Sequence, residues 1–215
     1  MSQLRQICII KTLSSKMCCL WFPLRQPAPS LADMNLQDDK SLASIAAALA
    51  HAPGATYQEI AKAIGVSRAT LYRFCSSKDE LIHLLHRHCI ARLTASLHEA
   101  RLDEGSPVDA LTRLVEGQVV HKELHAFLME FWSRDIETDP ELGPACLAYE
   151  ATLDQFFLRG QREGVFRVDI PAAALNESLG GMLIGLMEGE RRGRIARASV
   201  LPIACALILE GAMRR

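Results

Sequence analysis

The residues whose types and spacing promise the most specific chemistry lie in one run, Tyr57-Gln58-Glu59-Ile60-Ala61-Lys62-Ala63-Ile64-Gly65-Val66-Ser67-Arg68-Ala69-Thr70-Leu71-Tyr72-Arg73-Phe74. That chemistry is recognition of a duplex rather than bond breaking. Ala61 is small enough for two helices to cross closely, and Gly65 suits a turn that needs a positive φ. Ile60, Ile64, Val66, Leu71 and Phe74 fall on inward positions. Arg68, Ala69, Thr70, Tyr72 and Arg73 stay outward on the second helix, a short polar face of the size that enters a major groove. Between Lys62 and Arg92 there are six Lys/Arg and two acids, as a polyanionic partner requires. The competing reading is an ordinary helical hairpin with a solvated basic face.

Other clusters point elsewhere. Phe127, Phe131 and Trp132 crowd one segment around Glu130, and Tyr149, Glu150 and Phe156 lie in another. Aromatics with a carboxylate suit a small apolar or cationic ligand; the alternative is that they are core. Phe127, Glu130, Phe131, Trp132, Tyr149 and Phe156 are the candidate ligand-binding set. His83, His86 and His88, and the pair His121 and His125, have spacings able to chelate a metal. No acid completes a set, and no nucleophile elbow, phosphate loop or HExxH occurs. They are expected to be surface histidines, with no metal, cofactor or enzymatic activity. Gly181, Gly185 and Gly189 recur on one helical stripe, each costing about 0.8–1 kcal/mol relative to Ala. With Ile203 and Leu207 they form the candidate homodimer interface, unless the glycines serve packing within one subunit.

The elements that must position these residues are helical. Segments 41–50, 57–64, 68–74 and 77 to about 102 come first, with Thr56, Ser67 and Ser77 as caps and Glu80 as a capping-box partner of Ser77. Five more follow at about 107–120, 122–133, 140–163, 171–192 and 199–213. Ser106-Pro107 and Asp139-Pro140 are repeated start signals, and Gly164 and Gly193 are stops. Residues 165–168 alternate like a strand but are too few for a sheet.

Composition agrees. Of 215 residues 49% are hydrophobic, which argues against disorder over most of the length. The formal charge of −1 conceals +3 over residues 1–33, +2 over 34–92, −11 over 93–190 and +5 over 191–215. One part is built to meet a polyanion and another is not. Seven cysteines in no framework spacing read as reduced thiols of a cytoplasmic protein, with redox sensing the sharper alternative. No run of 18 apolar residues suggests a membrane span. Residues 1–35 read as a poorly ordered extension, with Met34 a sensible start, or else as a basic arm touching DNA.

Thr56 through Leu81 resembles the DNA-binding domain of the TetR family. The matching motifs are Gly65-Val66-Ser67, Thr70-Leu71-Tyr72 and Ser77-Lys78-Asp79-Glu80-Leu81. The resemblance implies that Tyr72 and Lys78 hold phosphates, while Arg68, Ala69, Thr70 and Arg73 approach bases or backbone. Thr56 and Ser67, at the helix starts, complete that set. Phe74-Cys75 departs from the usual His-Phe, and the first helix is short and lacks the common aromatic. Segments 69–75, 156–161, 164–170 and 190–194 further resemble a repressor of a resistance-nodulation-division multidrug efflux operon in that family.

The expectation is therefore an all-α chain. A three-helix DNA-binding domain occupies 36–88, and a ligand-binding and dimerisation domain occupies 89–215. The implied function is a homodimeric repressor of an efflux operon, released from operator DNA by its ligand. The different-class alternatives are a small metal-dependent or hydrolytic helical enzyme, or an activator of another operon.

Overall fold

The computed structural model describes Leu36 and residues 38–213; what was expected of residues 1–35 otherwise lies outside the described residues. Ten α-helices run through them: α1 (Asp39–His51), α2 (Tyr57–Ala63), α3 (Arg68–Phe74), α4 (Lys78–Glu99), α5 (Pro107–Val120), α6 (Lys122–Phe131), α7 (Arg134–Thr138), α8 (Leu142–Arg162), α9 (Ala172–Arg191) and α10 (Arg197–Ala212). The all-α expectation holds, and none of these helices is long and apolar enough to cross a membrane.

Local chemistry accounts for most boundaries. Asp38 caps α1, its Oδ1 accepting from the Ser41 amide at 2.7 Å. Thr56 opens α2 with a reciprocal capping box to Glu59, satisfying two backbone donors at once. Ser67, Ser77 and Ser106 cap α3, α4 and α5, with Pro107 in the first turn of α5. One expected box is displaced. The Glu80 carboxylate reaches Ser76, accepting from its amide at 2.7 Å and its hydroxyl at 2.6 Å, not Ser77.

Asp139 does cap, but from further away. Its Oδ1 accepts from the amides of Glu141 and Leu142 at 2.8 Å each, so α8 starts at Leu142 rather than at residue 140. The short α7 was not anticipated. Extended backbone at Trp132 and Ser133 separates it from α6. Residues 165–168 form no strand; a single antiparallel bridge joins Phe166 to Met213.

Two large apolar clusters hold the helices, and a small third around Ile90, Ile136, Leu142 and Cys146 seats α7. One gathers α1–α3 and the first half of α4 around Ile45, Leu49, Ile60, Leu71, Leu81 and Leu85. The other joins α5, α8, α9 and α10 around Leu111, Leu114, Phe157 and Phe166. α4, with 22 residues about 33 Å long, contributes to both. α6 joins the first of them, through the buried Leu124, Phe127 and Leu128. The contact of α1 with α6 is the most extensive in the chain. The apolar packing therefore runs across the division drawn at residues 88 and 89.

Candidate nucleic-acid interface and sensing cavity

α2 and α3 meet at a turn that only a permissive residue allows. Gly65 has φ +77°, and the Val66 amide donates back to the Ala61 carbonyl at 2.9 Å. Ala61 is buried at the crossing, as are Ile60 and Leu71, while Ile64, Val66 and Phe74 are half-buried. A further tie came as a surprise. The Tyr57 hydroxyl lies 2.6 Å from the Cys75 carbonyl and 3.2 Å from that of Leu71, so it locks the start of α2 to the end of α3. Burial pushes the phenol pKa up to about 12, which keeps it a donor. An aromatic directly after a capping threonine was the available signal.

The outward residues fall into two groups. Arg68, Ala69, Tyr72 and Arg73 are exposed and make one face. The Arg68 guanidinium lies 5.1 Å from the Tyr72 ring centre and donates to its hydroxyl at 3.3 Å. Tyr72 in turn leans on Tyr57, with centroids 4.7 Å apart. Arg68 and Tyr72 are thus pre-positioned as a planar, cationic edge.

The second group is engaged within the chain. Thr56 bonds the Glu59 carboxylate at 2.7 Å, and Ser67 and Thr70 share a hydroxyl contact of 2.8 Å. Lys78 donates to the carbonyls of Pro53 and Ala55 at 2.8 and 2.9 Å. An ammonium has three donors, so this lysine, expected to hold a phosphate, first of all closes the loop between α1 and α2.

Below this head lies a cavity of about 90 Å³, walled by α4, α5, α6, α8 and α9. Of the six expected ligand-binding residues, Trp132 and Tyr149 line it. Phe127 does not: it is fully buried in the head, 5.0 Å centroid to centroid from both His86 and Phe131. Phe131 packs against that same cluster. Phe156 belongs to the second core, packed on Phe157 and Phe166. Glu130 is half-buried on α6 away from the cavity, and the carboxylate in the wall is Glu150. The reason is helical phase. Leu124, Phe127, Leu128 and Phe131 share the face of α6 that packs into the head, so the aromatics went to packing.

The cavity carries a buried polar relay. Gln118 donates to the Ser96 hydroxyl at 2.7 Å, while its Oε1 takes Tyr149 Oη at 3.2 Å and His125 Nε2 at 3.1 Å. Burial, and then the neighbouring His121, hold the His125 imidazole down at about 4, so it is a neutral donor. The histidines are therefore not uniformly superficial. His86 is buried, with its pKa lowered to about 4 by desolvation. Only His83 of the five is exposed, with its side chain about half covered, 3.3 Å from Asp139.

A second cavity, of about 220 Å³, lies where α1, α6 and α9 converge and shares His125 and Ile184 with the first.

The glycine stripe divides. Gly181 lines the first cavity. Gly189 makes room for Ile195 of the same chain, whose Cδ1 would lie 2.7 Å from an added Cβ. Gly185 faces open space, with no atom within 4 Å of an added Cβ. At 3.6 residues per turn a four-residue repeat rotates about 40° per step, enough to give three glycines three environments. Ile203 and Leu207 are exposed, Leu207 by 54%.

Comparison with known proteins agrees with this architecture. Residues 43–85 match the bacterial regulatory proteins of the tetR family. Over 175 residues the chain is 37% identical to the HTH-type transcriptional regulator NfxB of Pseudomonas aeruginosa, covering 81% of this chain and 94% of that protein. It is 36% identical over 95 residues to the HTH-type transcriptional repressor LfrR of Mycolicibacterium smegmatis, 44% of this chain and 49% of that one. Among solved structures, the ketosteroid transcriptional regulator KstR2 of Mycobacterium tuberculosis superposes with a TM-score of 0.69 at 18% identity, over 86% of this chain and 99% of that one. LfrR in complex with proflavine gives 0.62 at 21%, over 82% and 97%. With the turn at Gly65, the exposed face of α3 and the helical core behind them, these matches are to DNA-binding regulators rather than to enzymes, and the chain belongs to the TetR family of bacterial transcriptional regulators.

Proposed function

We propose that the chain is a homodimeric repressor that holds operator DNA through α3 of each protomer and leaves it when a small apolar or cationic ligand occupies the cavity beneath the head. The operon it controls would encode a multidrug exporter, as the resemblance over segments 69–75, 156–161, 164–170 and 190–194 implies. The observation that carries this reading is the face of α3. Arg68, Ala69, Tyr72 and Arg73 are presented together, while Tyr57 fixes the angle of the helix behind them.

One short helix reads few base pairs, so two copies spaced about 34–36 Å apart are needed for tight specific binding. Gly185, Ile203 and Leu207 offer the outer surface of α9 and α10 for that pairing. Release follows from linkage. A ligand that prefers a form with the wrong head spacing weakens DNA binding by the factor DNA weakens ligand binding, typically 1–3 kcal/mol. α4 and α6 both run from the cavity wall into the head and supply the coupling.

The test is a footprint of the purified chain on the DNA upstream of its own gene at low ionic strength, together with transcript levels after gene deletion. Protection of a two-fold site and a rise in a neighbouring transporter transcript are expected. A fall in that transcript would make the chain an activator, and no protection would end the reading.

A further inference from the structure

Glu150 presents a carboxylate oxygen to the interior with no hydrogen-bond partner, in the wall of the first cavity. Among the described residues no Lys or Arg lines that cavity. Its other polar groups satisfy one another through Gln118. Burial, with Asp154 and Glu137 nearby, raises the Glu150 pKa, the mark of a negative charge that lacks compensation. Trp132 and Tyr149 share the lining, and aromatic faces attract cations. The site is chemically ready for positive charge and hostile to an anion.

Size adds a second constraint. The 90 Å³ of this cavity falls well short of the roughly 300–1,000 Å³ of ordinary ligand pockets. The neighbouring 220 Å³ brings the pair to the lower end of that range. His125 and Ile184 are walls of both. The apolar lining of the junction cavity includes Ala47, Ala50, Ala126, Met129 and Met187, with His51 and Glu123 among its polar walls. Its two long cations are already paired, Lys122 with Glu190 and Arg191 with Glu188, each at 2.6 Å.

We propose that the ligand is an elongated amphipathic monocation that uses both cavities, its charged end against Glu150 and its apolar end between His125 and Ile184, under Ala47 and Ala50 of α1. This rests on the reading above that cavity occupancy controls DNA binding. It adds that binding and release are separable by length. A short cation fills the Glu150 end and leaves α1 seated on α6. A long one enters the junction and wedges apart the most extensive contact between the head and the helices below it.

The experiment uses the full chain and butyl-, octyl- and dodecyltrimethylammonium, all below micelle formation. Calorimetry follows binding, and fluorescence anisotropy follows release of the chain's own upstream DNA. All three should bind, and only the longer tails should release DNA. Glu150→Gln should weaken every cation by about tenfold or more and leave octanol binding unchanged. Ala126→Leu, which fills the junction, should keep butyltrimethylammonium binding and abolish release by the dodecyl compound. Unaltered melting and ligand-free DNA binding would show that both variants fold. The proposal is overturned if Glu150→Gln binds the cations as tightly as the parent, or if the butyl compound releases DNA as fully as the dodecyl. A chain that never binds its DNA defeats the regulator reading, and calorimetry still decides the Glu150 subsite. A chain that binds DNA but none of the cations defeats this inference alone.

Discussion

The hydroxyl of Tyr57 donates to the carbonyl of Cys75 across eighteen residues, at 2.6 Å, and so closes α2 against the far end of α3. Leu71 O has a second donor in the Cys75 amide at 2.9 Å. The Cys75 carbonyl depends more heavily on the phenol. Tyr57→Phe should therefore lower unfolding free energy by about 1–2 kcal/mol. DNA affinity should fall further than stability alone requires, because α3 loses its angular restraint. Urea denaturation and DNA titration, read together, check this; unchanged affinity would show that the bond does not orient α3.

Arg73 and Lys78 should respond differently to truncation although both were expected to touch DNA. Arg73 is exposed on α3, so Arg73→Ala should reduce the slope of log affinity against log salt by about one. Lys78 is tied to the Pro53 and Ala55 carbonyls. Lys78→Met should cost stability and change the slope less. Equal slope changes would restore Lys78 as a phosphate ligand of the same rank.

Much of the fold of α2 and α3 was legible in the sequence because its signals are local. A capping threonine, a turn glycine and inward apolar positions each act within a few residues of themselves. The cavity was not legible in the same way. Phe127 and Phe156 are aromatic for packing, and nothing in their spacing reveals which neighbour covers them. Glu150 stands beside Tyr149 in the sequence, yet only the approach of α5, α6 and α9 decides that it, and not Glu130, faces the interior. The ties of Lys78 were hidden for a related reason: its partners within the chain are backbone carbonyls, which have no residue identity to read.

His86 gives the chain an acid-sensitive core. Burial lowers its pKa from 6.5 to about 4, with its Nε2 unpartnered beside Phe127. The unfolded chain binds this proton below pH 6.5 and the folded chain does not until about 4. Stability therefore rises with pH across that window and is lost as pH falls through it. His86→Leu should flatten the stability profile between pH 4 and 6.5, removing about 1–3 kcal/mol of variation. Thermal melts at closely spaced pH values measure it; parallel profiles for parent and variant would refute the assignment. His125, held near 4 by burial, should leave a residual slope.

Gly185 and Gly189 separate packing between subunits from packing within one. Gly185→Leu projects into space that is open in the single chain. It should leave the monomer folded, shift sedimentation towards it, and weaken DNA binding by about tenfold or more through loss of paired half-sites. Gly189→Ala meets the Ile195 side chain of the same chain, at Cδ1 and Cγ1, and should leave the association state alone. A Gly185→Leu chain that sediments as the parent does would move the dimer surface away from α9.

Leu124, Phe127 and Leu128 come from α6, yet they complete the apolar interior that α1 to α3 close over. Excising residues 36–88 would strip Leu81 and Leu85 of part of their cover and yield a fragment unable to stand alone. Grafting this reader onto another sensor would likewise require transplanting α6 with it. Because His125 and Leu128 of α6 also wall the first cavity, a substitution on α6 that reshapes that cavity must leave the interior beneath α3 intact.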